Sequence, residues 1–259
     1  MLTDQQLLIY NRQIMLDEIG PRGQERLGAA RVAVVGLGGL GSSAALYLGA
    51  AGIGTLVLID HDKVALSNLQ RQILYDKAAV GQPKTTAAAA SLQARNPELC
   101  TIVHFTRLQA ENGASLLEHA DFVIDATDHP ESKFLLAELC HRQQIPYSHA
   151  GVAAFQGQTM TVLPGATACL RCLFSHSQET NETLNCNDRG IVGAVPGVIG
   201  SLQALEAVKH IAGAGKLLTN RMLVFDGLHG EFRLAVFRRN PQCSLCGKDS
   251  TRSGIAGRA

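Results

Sequence analysis

The stretch RVAVVGLGGLG, residues 31–41, decides the fold. Residues 31–35 are an apolar run closed by glycine, the pattern of a strand buried on both faces of a parallel sheet. Gly36, Gly38, Gly39 and Gly41 follow in G-x-G-x-x-G spacing and open a predicted helix over 40–51. Strand, glycine turn and helix in that order form a nucleotide-binding unit. Glycine lets the backbone turn tightly and approach a phosphate, and the helix N-terminus supplies unpaired N–H donors. A second strand over 55–59 ends on Asp60, 24 residues beyond Gly36, where a carboxylate is placed to accept ribose hydroxyls.

Outward from this unit the alternation continues, with a helix over 84–95, strands near 101–104 and 121–124, a helix over 131–143 and a strand over 145–149. Alternating strands and helices predict a Rossmann-like, doubly wound α/β fold whose mostly parallel sheet is covered on both faces. Beyond about residue 150 the strands expected at 158–163, 222–225 and 232–237 are in places too close for helical crossovers, so antiparallel strands should extend the sheet. A polar stretch at 175–188 reads as a loop and 193–212 as a long apolar helix. The tail at 248–259, rich in Gly, Ser and Arg, reads as disordered.

Composition narrows the function. With 23 Lys plus Arg against 22 Asp plus Glu, a net charge of +1 makes no electrostatic case for nucleic acid or an anionic membrane surface. No segment approaches the roughly 20 apolar residues of a membrane span, and the N-terminus lacks the pattern of a secretion signal. A soluble cytoplasmic protein is expected.

The glycine pattern with Asp60 also suits NAD. Asp62, Asn68, Arg71, Gln72 and Lys84 crowd after it, and cations beside the loop suit a triphosphate better than a pyrophosphate held by backbone amides. Taken singly, Arg71 and Lys84 also fit as surface charges and Asn68 as a cap. Seven cysteines include two CxxC pairs, Cys169/Cys172 and Cys243/Cys246, whose thiolates suit a closed tetrahedral Zn²⁺ site of structural role, with a redox pair as the alternative. Cys100 and Cys140 read as structural.

The motifs YNRQI (10–14), GLGGLG (36–41), LIDHD (58–62), LSNLQRQIL (66–74), GQPK (81–84), DATD (125–128), LRC (170–172), GVIGSLQALEAVK (197–209) and the final CxxC run in order over nearly the whole chain. In them the chain resembles the ThiF/MoeB/HesA family, bacterial relatives of the ubiquitin-activating enzymes. The resemblance implies a single adenylation domain over 1–247, with a helical segment at 1–30, a nucleotide-binding core at 31–150 and a partner-binding, zinc-bearing part at 151–247. It implies attack of the C-terminal glycine carboxylate of a ubiquitin-like sulfur carrier, ThiS-like or MoaD-like and ending in Gly-Gly, on the α-phosphate of MgATP, with pyrophosphate released. Asp60 would hold the ribose, with Asn68, Arg71, Gln72 and Lys84 around the phosphates, and Asp128 would bind Mg²⁺. Arg12 would reach the site of the other subunit of a homodimer. Cys186 lies where some members carry a sulfur-transfer cysteine, and Arg189 beside it would favour the thiolate.

The family's usual Asn after the DATD motif is replaced by His129, which puts metal or nucleotide affinity in question. No rhodanese-like domain follows the zinc pair, so the sulfur donor is expected to be a separate protein. LQRQIL and NCNDRGIVG resemble the thiamine enzyme, whereas YNRQI and the cysteine pairs are shared with the molybdopterin enzyme. An NAD-dependent oxidoreductase and a non-catalytic nucleotide-binding scaffold are the competing classes. The first predicts nicotinamide binding and the second the loss of Arg12, Arg71, Lys84 or Asp128.

Overall fold

The computed structural model describes residues 1–174 and 190–247. Three short helices, α1 (Asp4–Ile9), α2 (Asn11–Ile14) and α3 (Gly20–Ala29), precede the sheet. Thr3 and Gln6 form a reciprocal capping box at the start of α1. Strand β1 (Arg31–Val35) leads into α4 (Gly39–Ala50), β2 (Thr55–Asp60), α5 (Lys84–Arg95), β3 (Cys100–Phe105), α6 (Gly113–Leu116), β4 (Phe122–Asp125), α7 (Pro130–Gln143) and β5 (Tyr147–Ala153). Then come β6 (Gln156–Val162), α8 (Leu170–Leu173), α9 (Ala194–Ala212), β7 (Arg221–Asp226) and β8 (Glu231–Val236).

The eight strands form one sheet in the order β3-β2-β1-β4-β5-β6-β7-β8. The first five are parallel and the last three antiparallel, as the shortened connections required. Strand β5 runs farther than the expected 145–149. It pairs parallel with β4 over three residues, then continues to Ala153 because β6 pairs with its whole length.

Val32, Ala33 and Val34 on β1 are fully buried, which explains an uninterrupted apolar run in place of alternation. One face of the sheet packs on α4 and α9, and the other on α7 and the cysteine-bearing segments. Helix α9 lies directly against α4, and a Cβ on Gly200 would come within 2.3 Å of the Leu40 carbonyl, so this approach requires glycine. Buried Glu206 accepts from Thr161 Oγ1 and from the Leu218 amide, both at 2.6 Å, and pairs with Lys209, tying α9 to β6. No helix among the described residues is long and apolar enough to cross a membrane.

Candidate nucleotide and metal sites

Between β1 and β4 the chain leaves the sheet in opposite directions, and this switch point at the carboxyl ends of the strands is where α/β sheets bind ligands. Gly36 has φ +90°, and a Cβ there would sit 2.6 Å from the Ala126 carbonyl oxygen, so the glycine loop rests on the DATD turn after β4. Gly38 differs. A Cβ there would meet nothing closer than Gln72 Nε2 at 3.8 Å, so no internal contact demands glycine, and the bare backbone leaves room for a phosphate. Helix α4 starts at Gly38 with no side-chain cap. Beside it, buried Gln72 has an Oε1 with no hydrogen-bond partner among the described residues. An uncapped helix start and an orphaned buried amide fit a polar ligand absent from the chain itself.

Asp60 is 8% exposed at the end of β2. Its Oδ2 accepts the Leu37 amide and its Oδ1 the Asp62 amide, both at 2.7 Å. A carboxylate has lone pairs beyond these two, so it retains capacity for ribose hydroxyls while fixing the loop that precedes Gly38. Buried Lys84 donates to Asp62 Oδ2 at 2.8 Å. Burial works against ionisation of Asp62, but the Lys84 ammonium more than offsets it and holds the carboxyl below its usual range. Lys84 is thus engaged by Asp62 and is not a free surface charge. Asn68 Oδ1 accepts the Ala65 amide at 3.1 Å, so it braces the turn that ends on it and does not cap the segment that follows. Arg71 Nη1 donates to the Ser67 carbonyl.

Asp128 does not cap α7. The N-cap is His129, whose side chain makes no capping bond. Asp128 is 70% exposed, and its one ion-pair neighbour among the described residues is His129 Nε2 at 3.8 Å. A carboxylate without a structural bond, beside a glycine loop, is available to a cation. Cys186 and Arg189 lie outside the described residues, as does the 248–259 tail.

The two CxxC pairs meet. Sγ–Sγ distances are 3.9 Å for Cys169–Cys172, 3.5 Å for Cys169–Cys243 and 3.4 Å for Cys172–Cys246. Zn–S bonds of about 2.3 Å in a tetrahedron require sulfurs roughly 3.8 Å apart, so the cluster is compatible with zinc. The Asn240 amide donates to Cys172 Sγ at 3.4 Å. Cys140 is buried in the core, as a structural thiol would be, but Cys100 is exposed on the edge strand β3.

The ThiF family profile matches residues 10–245. The chain belongs to the ThiF family. This ThiF-family protein is 39% identical over 248 residues to the SAMP-activating enzyme E1 of Haloferax volcanii, covering 96% of this chain and 92% of that one. It is 38% identical to the sulfur carrier protein adenylyltransferase of Thermus thermophilus, covering 96% and 94%. To the mouse adenylyltransferase and sulfurtransferase MOCS3 it is 41% identical, but there it spans 55% of the relative's length. Among solved structures, E. coli MccB with ATP superposes with a TM-score of 0.76 at 27% identity, covering 87% of this chain and 68% of that one. PaaA gives 0.78 at 25% identity, covering 92% and 76%.

Motif spacing located the glycine loop, both ends of β2 and the cysteines. It did not assign Asp125, His149, Lys133 or Gln203, which the fold gathers beneath the DATD turn. The signal available was the first aspartate of DATD, lying in an apolar strand where a carboxylate needs partners.

Proposed function

We propose that this ThiF-family protein adenylylates the C-terminal glycine carboxylate of a ubiquitin-like sulfur-carrier protein, releasing pyrophosphate, for sulfur transfer in thiamine or molybdenum-cofactor synthesis. The observation that carries the reading is the contact of the glycine loop with the DATD turn, which brings exposed Asp128 near bare backbone at the switch point. Relatives named as adenylyltransferases favour ATP over NAD for that backbone. The carboxylate oxygen attacks the α-phosphorus and the bond to pyrophosphate breaks. The nucleophile is already ionised at neutral pH, so no general base is needed and the protein's task is positioning and charge neutralisation.

In this reading the amides opening α4 and Gly38 hold phosphate oxygens and Asp60 holds the ribose. Arg71 and Lys84 neutralise the phosphates, with Lys84 exchanging Asp62 for phosphate, and the uncharged Gln72 donates a hydrogen bond beside them from its amide N–H. Asp128 binds Mg²⁺, which spreads the charge building on the leaving pyrophosphate. The four cysteines hold a structural zinc. The reaction is assigned to the cytoplasm, where thiols stay reduced.

The test is ATP/pyrophosphate exchange with Mg²⁺ and a panel of carriers ending in Gly-Gly. Exchange dependent on one thiamine-type or molybdopterin-type carrier is expected. None with any carrier, from zinc-loaded protein, would sink the reading.

The homodimer rests on where Arg12 lies. Its neighbour Gln13 donates to the Ala51 carbonyl at 3.0 Å, at the C-terminal end of α4. The glycine loop is at the other end of that helix, whose 12 residues span about 18 Å. Arg12 is therefore beyond reach of its own loop and suited to a partner's. Exposed Tyr47, Ile73, Leu205 and Phe232, gathered around one groove on the α4 and α9 face, suit burial against a second copy. Arg12→Ala and Arg71→Ala proteins should each be inactive, and mixing them should restore about a quarter of the sites, because half of random dimers carry one intact site. Mixed dimers without activity would remove the shared site.

A further inference from the structure

Beneath the DATD turn lies a buried polar cluster that none of the proposed roles uses. Asp125, at the carboxyl end of β4, is fully buried and stands in register with His149 on β5. Its two oxygens have separate partners. Oδ2 lies 2.8 Å from His149 Nδ1. Oδ1 accepts the Thr127 hydroxyl at 2.7 Å and the Thr127 amide at 3.1 Å, and lies 3.5 Å from Lys133 Nζ on α7. Lys133 also donates to the Ala150 carbonyl at 2.6 Å. Gln203 on α9 donates from Nε2 to the carbonyls of Asp125 and Ser148, at 2.9 and 3.0 Å. The first residue of the turn is thus clamped from β5, α7 and α9 at once.

Burial lowers the His149 pKa, so the imidazole is neutral and its Nδ1–H is the donor to Asp125. The same burial works against ionisation of Asp125, but Lys133 and the His149 hydrogen bond prevail and hold its carboxyl at about 2. The ionised carboxylate then orients Thr127 through two bonds, and Thr127 is the residue immediately before Asp128. Among the described residues Asp128 has no other bond that fixes it, so its direction there is set by this backbone.

We propose that His149 is a positioning residue: by holding Asp125 Oδ2 it aims the other oxygen at Thr127 and so fixes the turn that presents Asp128 to the Mg²⁺-nucleotide. The inference rests on the reading of Asp128 as the metal-binding carboxylate. Without the imidazole, Oδ2 is buried and unpaired, and the carboxylate relieves this by rotating away from Thr127 or by taking up a proton. Either response loosens the turn without touching the glycine loop, so ATP binding alone should survive while its strengthening by Mg²⁺ is lost.

Calorimetric titration of zinc-loaded protein with ATP, in Mg²⁺-free buffer and in saturating Mg²⁺, reads this directly. His149→Leu and Thr127→Val are each expected to lose about tenfold of the Mg²⁺-dependent tightening, the scale on which residues behind metal ligands act. ATP affinity without Mg²⁺ should stay within about twofold. His149→Asn keeps a donor near Nδ1 and should recover to within about threefold of the wild type, which a role in core packing alone would not produce. A folded His149→Leu protein with wild-type Mg²⁺ dependence overturns the proposal. If that variant does not fold, wild-type dependence in Thr127→Val does the same. Asp128→Asn separates the layers. If it keeps wild-type dependence, the metal reading falls and takes this proposal with it. If it loses that dependence while His149→Leu and Thr127→Val do not, only the positioning role falls.

Discussion

Asp128→Ala is expected to lower carrier-dependent ATP/pyrophosphate exchange by roughly two to three orders of magnitude, the range seen when one preorganised electrostatic group is removed from a reacting centre. The fold should be unaffected. Asp128 is 70% exposed and, among the described residues, caps no helix and bonds no backbone group, so its loss opens no cavity and leaves none of them unpaired. The melting temperature should therefore match the wild type within about 2 °C. This separation makes the test sharp, because a loss of exchange cannot be charged to unfolding. Wild-type turnover by a folded Asp128→Ala protein would eliminate the metal role, and a large fall in melting temperature would show that the residue is structural.

Removing zinc should have the largest effect on stability. Cys169, Cys243 and Cys246 are buried in the same core cluster as Tyr147, Leu170 and Met222. Cys169 and Cys243, 74 residues apart, meet in the cluster, so a metal there joins the segment after β8 to α8 across a long loop. Cross-links closing loops of that length contribute about 4 kcal/mol by restricting the unfolded chain. At 2–4 °C per kcal/mol for a chain of this size, metal-free protein or a Cys243→Ser variant should melt about 10 °C lower. Without metal, burial pushes the Cys169 and Cys172 thiols up, Cys172 to about 11, so they would be neutral at neutral pH; a bound Zn²⁺ reverses this. The nucleotide helix α4 packs on the opposite face of the sheet, so ATP binding well below the melting temperature should persist. Zinc content and thermal unfolding measured on the same samples decide the matter. A zinc-free protein melting at the wild-type temperature would reduce the cluster to packed thiols.

Much of the fold was legible because its signals are local. The buried run before Gly36, the glycine spacing and the helix over 84–95 each follow from residues a few positions apart, and β1 and α5 lie at the expected residues. The antiparallel extension followed from chain length alone, since a hairpin needs few linking residues and a parallel crossover many. Boundaries slipped where pairing partners decide them, as for β5. Within the site, residue type identified Asp60, Lys84 and Asp128 as candidates, but their circumstances differ in ways residue type does not carry. Lys84 is engaged by Asp62, Asp60 shapes the backbone, and Asp128 makes no structural bond among the described residues.

By itself the sequence determined that this is a doubly wound nucleotide-binding domain with thiol pairs suited to a metal, because periodicity, glycine spacing and CxxC spacing are short-range properties of the chain. Only the tertiary structure decided that the two thiol pairs form one cluster, that Arg12 lies a helix length from its own glycine loop, and that of the two aspartates in DATD one is buried and clamped while the other is exposed. The physical reason is shared. Each depends on contacts between residues tens of positions apart, set by strand register and helix packing: the parallel pairing of β4 with β5 places His149 opposite Asp125, and no pattern within either segment records that they meet.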